Sequence, residues 1–156
     1  MNKSIPGQIV GLVERVNEFS AAKGEVLIAG VTQKSMLFLQ WFGYLGVSKT
    51  GVADELLDGA VSSLREVAAC SALGLVRSAL LAMRTEVDLV LSWLYFKDHP
   101  VEWEYVNASG DGFRLKNEIL EYLHRYYSGF GTRFGVLKDV KTRQELDPYR
   151  LLSAHI

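Results

Sequence analysis

Apolar side chains recur at threes and fours along most of this chain, the spacing of one helix face. After Pro6-Gly7, Ile9, Val10, Val13, Val16 and Phe19 form such a stripe, with Glu14, Arg15 and Glu18 between them. This predicts an amphipathic helix of three or four turns, closed at Lys23-Gly24 with the glycine as C-terminal cap. Val26 to Val31 is too short a run to separate strand from helix by period. With Met36-Leu37-Phe38-Leu39-Gln40-Trp41-Phe42 behind it, the segment reads as a buried helix ending around Gly43–Gly46, and Ser48-Lys49-Thr50-Gly51 as a loop.

From Val52 the stripe resumes through Leu56, Leu57, Ala60, Val61, Leu64 and Val67. Asp54 and Glu55 lie in the first turn, where the helix dipole favours them. A soft break falls at Ala72–Gly74. The next helix runs from about Leu75 to Phe96 and is apolar on nearly every side, the mark of a helix inside a bundle. Pro100 ends it. Residues 101–112 read as a connection whose Trp103 and Tyr105 cover the bundle end, with a turn at Gly110-Asp111-Gly112. Leu115, Ile119, Leu120, Leu123 and Tyr127 mark a helix over 113–128, and a last short one begins near Pro148. The fold class is therefore all-α: one domain, 1–156, of five or six helices around a buried central helix.

Composition narrows the classes of function. A chain of 156 residues with 49% hydrophobic content supports a generous core or an interface between copies. Net charge is −1, so no global field advertises nucleic acid or an anionic membrane, although residues 113–156 carry 8 basic against 5 acidic groups. Cys70 is the single cysteine and reads as a small buried hydrophobe, so no intrachain disulfide is expected. The amino-terminal residues lack a signal-peptide pattern, and the longest uncharged stretch, Ser35–Ser48, is too short to span a bilayer. The expectation is a cytoplasmic protein with no membrane partner.

Phosphate-loop, dinucleotide, zinc and di-iron spacings are absent, so no metal and no cofactor is expected. The central helix carries Arg77, Arg84 and Asp88 on about one face, with Glu86 pointing elsewhere. Ionised groups are buried only when paired, so this strip is either an internal network that sets helix register or the wall of a ligand pocket. His99, at the end of the same helix, suits the dipole as a cap. His124 and Arg125 interleave with Tyr126, Tyr127, Phe130, Arg133 and Phe134, a pattern that serves either as core or as a surface for RNA. Phe38, Trp41, Phe42 and Tyr44 are the candidates for an apolar contact surface.

The last segment is Arg150-Leu151-Leu152-Ser153-Ala154-His155. A helical bundle with Arg and His at this spacing in its final helix resembles the HEPN superfamily, which includes metal-independent ribonucleases of defence and toxin–antitoxin systems and members without catalysis. The stretch from Leu75 to Phe96 is also similar to a group of bacterial helical proteins in which an Arg-bearing helix is followed by a tyrosine-rich segment and a late Ser-x-x-His. The resemblance covers about residues 52–156. It implies a homodimer in which His155 acts as general acid or base on a ribose hydroxyl and Arg150 steadies the phosphate. Leu151 departs from the polar residue usual after the Arg. Beside this stands the simpler expectation of a non-enzymatic interaction module that pairs with itself or with a partner protein.

Overall fold

The computed structural model describes residues 4–132. Six α-helices appear and, among the described residues, no strand: α1 (Ile5–Phe19), α2 (Glu25–Val47), α3 (Asp54–Ala72), α4 (Val76–Phe96), α5 (Pro100–Ser109) and α6 (Lys116–Tyr126). None is long and apolar enough to cross a membrane. The all-α bundle read from the periodicity is the fold.

Two boundaries differ from the expectation. Gly24 does not cap the first helix. A single π-helical turn, Ser20–Gly24, joins α1 to α2, so the chain is helical without a break from Ile5 to Val47, about 65 Å at 1.5 Å per residue. Gly24 keeps ordinary right-handed helical angles. Its use is close approach instead: a β-carbon there would lie 3.0 Å from the Ser20 hydroxyl and 3.5 Å from the Ala72 carbonyl. The glycine lets the long helix touch the end of α3.

The second correction is at residues 101–112. Pro100 does not merely stop α4 but occupies the first position of α5, where its missing N–H costs nothing. Trp103 and Val106 turn inward from α5, whereas Tyr105 stays exposed.

The core sits around the second half of α4. Trp93, Phe96, Val106 and Leu123 are the largest fully buried side chains, each worth roughly 1.5–3 kcal/mol of apolar burial. The Phe96 ring packs at 5.1 Å from Trp103 and edge-on at 5.2 Å to Tyr95. The amino-terminal half of α4 is less enclosed than its composition suggests, because Val76, Leu81 and Met83 face outward.

Two turns lock α3 in place. Gly74, between α3 and α4, has φ +75° and lies against the Phe19 ring, which anchors the near end of α1. Before α3, Ala53 is held at φ 57°, a left-handed angle that costs a non-glycine residue about 1–2 kcal/mol. Asp54 compensates. Its carboxylate accepts the Gly51 amide at 2.8 Å, the Thr50 amide at 3.4 Å and the Trp93 indole N–H at 3.1 Å. Burial raises the Asp54 pKa, but these donors and the Lys49 charge outweigh it and hold the carboxyl below its usual range. Asp54→Ala is expected to destabilise the protein by about 2 kcal/mol, since the indole N–H loses its partner. Thermal unfolding should show a Tm lower by about 6 °C. An unchanged Tm would remove Asp54 from this role.

Candidate functional site

Where α2 crosses α3 and α4, the side chains do not close. They leave an apolar cavity of about 620 Å³, walled by Leu27, Val31 and Phe38 of α2, Leu64 and Val67 of α3, and Leu80, Met83 and Val87 of α4. A second hollow of about 390 Å³ continues it toward Trp41, Leu91 and Phe130. Phe38, Glu86 and Val87 border both, so the two form one groove.

Glu86 lies in the wall shared by the two hollows and is 7% exposed. Among the described residues no hydrogen bond or ion pair reaches its carboxyl group. No fully buried side-chain polar atom lacks a partner among those residues either, so the Glu86 oxygens open on the groove. Burial raises its pKa to about 7, because an ionised carboxylate loses hydration that nothing here replaces. The sequence reading set Glu86 aside as facing away from the polar strip. It does face away, into the interior. The available signal was position: Ala79, Glu86, Val90 and Trp93 fall on one helical face.

The strip itself is built differently from the expectation of a buried network. Arg84 and Asp88 do meet, with Nε and Oδ2 3.8 Å apart, but at a half-exposed surface. Arg77 is exposed on the preceding turns. Burial raises the Asp88 pKa, opposed by Arg84 and Lys116. Pairs of this exposure contribute little.

A denser polar cluster closes the far end of α4. Asp98 accepts Lys97 Nζ at 2.8 Å, the Tyr127 hydroxyl at 2.5 Å and the Tyr122 hydroxyl at 3.2 Å. Burial raises the Asp98 pKa, but these partners reverse the sign and leave it lowered. Tyr95 donates to Glu102 at 2.9 Å, and Arg114 binds the other Glu102 oxygen. His99 stacks on the Tyr95 ring at 4.1 Å, with Nδ1 2.7 Å from the Tyr95 carbonyl, which agrees with a capping role. These hydrogen bonds tie α6 to the end of α4.

His124 and Arg125 are both exposed on α6. His124 meets Phe130 edge-on at 5.3 Å. Arg125 borders a shallow polar hollow of about 380 Å³ with Arg114, Glu118, Glu121, Tyr122 and Tyr126. Its two acids offset its two bases, which does not make an anion site. Arg133, Phe134, the helix expected from Pro148, and the pair Arg150 and His155 lie outside the described residues.

Of the proposed contact surface, Phe38, Trp41 and Tyr44 are exposed, but Phe42 turns inward and is buried. What the sequence reading missed is scale. Ile5, Ile9, Leu12, Val13, Val26, Ile28, Met36, Leu37, Leu39 and Val47 are exposed on the same long helix, and α1 buries no residue at all. Among the described residues, no group of acids, histidines and cysteine is placed to hold a metal ion. Comparison of the chain with protein-family models, with curated proteins and with solved structures gives no match in any of the three, so function is read from this geometry.

Proposed function

We propose that the protein is a helical interaction module that acts as a homodimer, the Ile5–Val47 helix of one copy packing along that of another. The observation that carries this is α1, a helix with an apolar stripe and no buried residue. Ile5, Ile9, Leu12, Val16 and Phe19 repeat at alternating fours and threes, the seam spacing of helices that pack side by side. An isolated helix of this length is marginal in water, and its stability comes from a partner on its apolar face. Within the single chain Ile5, Ile9 and Leu12 of this stripe are each more than half exposed, and uncovered apolar stripes on a globular protein mark contacts.

The HEPN-like resemblance suggests the setting, a bacterial defence, toxin–antitoxin or regulatory complex. The test is static light scattering from about 1 to about 100 µM. The expected mass is twice the 17.4 kDa of the chain. A constant single-chain mass over that range would sink the proposal.

A second reading is a metal-independent endoribonuclease with a composite site at the dimer interface, supported by the spacing of Arg150 and His155 in the sequence. It expects RNA cleavage in the presence of EDTA, lost by more than about 100-fold in His155→Ala and Arg150→Ala. Intact RNA after long incubation with the verified dimer would remove it.

A further inference from the structure

We propose that the groove between α2, α3 and α4 is a binding site for a lipophilic monocation, its apolar body filling the hollow and its charge resting against the Glu86 carboxylate. Three observations carry this. The larger hollow, about 620 Å³, is walled almost wholly by apolar side chains and lies within the size range of small-molecule sites. Its continuation past Phe38 and Val87 is lined by the aromatic side chains of Trp41 and Phe130, a chemistry that holds a cation of low hydration well. Glu86 is a single acid, 7% exposed, facing both hollows with no partner among the described residues. A ligand with a delocalised or alkylated positive charge supplies the missing counter-charge without having to shed a tight hydration shell. A polycation fits poorly, because Lys34 of α2 borders the same hollow.

The charged groups facing the site are few. α1 contributes Phe19, α3 contributes Leu64, Val67 and Ser71, and α2 contributes Lys34 and Ser35. No ion pair joins Lys34 to Glu86 among the described residues. Lys34 is exposed and solvated whereas Glu86 is buried in the wall, so the protonation of Glu86 near neutral pH competes with cation binding.

A matched pair of ions tests this on the unmodified protein. Tetraphenylphosphonium and tetraphenylborate share size and shape and differ in sign, and isothermal titration calorimetry reads both. At about pH 8 the phosphonium is expected to bind at least about tenfold more tightly than the borate. Its affinity should fall about tenfold by about pH 5.5, as Glu86 takes up a proton. Glu86→Gln should weaken phosphonium binding by about tenfold or more and abolish the preference for its sign. No phosphonium binding to the wild-type chain, equal binding of the two ions, or full affinity in a Glu86→Gln variant with wild-type circular dichroism would each overturn the proposal. The site does not rest on dimerisation, so light scattering and calorimetry fail independently.

Discussion

Ile9→Glu combined with Leu12→Glu is expected to weaken self-association by at least about 100-fold, or about 2.7 kcal/mol. Both residues lie mid-stripe on α1, each more than half exposed within the single chain. Burying either against a second copy contributes roughly 1.5–3 kcal/mol. Replacing it with glutamate forfeits that and places like charges on facing helices. Glutamate is a good helix former, so α1 itself is retained. The contrast with stability is what makes the test sharp. Because Ile9 and Leu12 are exposed and no residue of α1 is fully buried within the single chain, unfolding measured at a dilution where both proteins are monomeric should change by less than about 0.5 kcal/mol. A double variant that remains dimeric, or one that loses its fold as a monomer, would contradict an interface along this helix.

Stability is expected to fall as pH rises through neutrality, by about 2–3 kcal/mol, and Glu86 is the cause. Its ordinary pKa is 4.5, and burial in the groove wall raises it to about 7 in the folded chain. Between those values the folded chain holds a proton that the unfolded chain has released. The stabilising difference is therefore complete below about pH 4.5 and is lost as pH rises through about 7. Asp88, also raised by burial, acts in the same direction. Asp54 and Asp98 are lowered, so their contributions are present above the usual carboxylate range and lost only in stronger acid. They do not mask the slope. Urea unfolding at about pH 5.5 and about pH 8, for wild type and Glu86→Gln, reads the effect. A similar slope in both proteins would show that Glu86 is not its source.

The two results bear on different parts of one long helix. α1 offers its stripe to another copy, and α2 covers one side of a groove whose floor and far wall are α3 and α4. An interaction module that also holds a small cation would have its ligand beside the element through which it self-associates.

Much of the helix plan was legible along the chain. The stripes from Leu56 to Val67, from Ala79 to Leu94 and from Ile119 to Tyr127 locate α3, α4 and α6, because apolar side chains at threes and fours can share a buried face only in a helix. The signals at the joints were ambiguous. Lys23-Gly24 has the form of a helix end, and Pro100 has the form of a stop. Gly24 serves instead where the long helix meets Ala72, and Pro100 opens α5. A glycine favours a cap and a close contact alike, and a proline is at home after one helix and at the start of the next.

The site was less legible. Arg84 and Asp88 attract attention because their spacing pairs them, and they do pair, at the surface. Glu86 sits two positions away on the face that turns inward, and its consequence depends on what α2 and α3 bring opposite it. Sequence alone determines that this chain is helical, that its helices are amphipathic or apolar throughout, and that it carries more apolar side chains than solvent would tolerate singly. Which of those side chains are covered is a tertiary decision. Packing α3, α5 and α6 around the end of α4 encloses Trp93, Phe96 and Leu123, whereas α1 touches the described bundle at Phe19 and keeps Ile5, Ile9 and Leu12 exposed. Helix periodicity is a property of neighbouring residues, whereas burial is a property of what comes across from elsewhere in the fold.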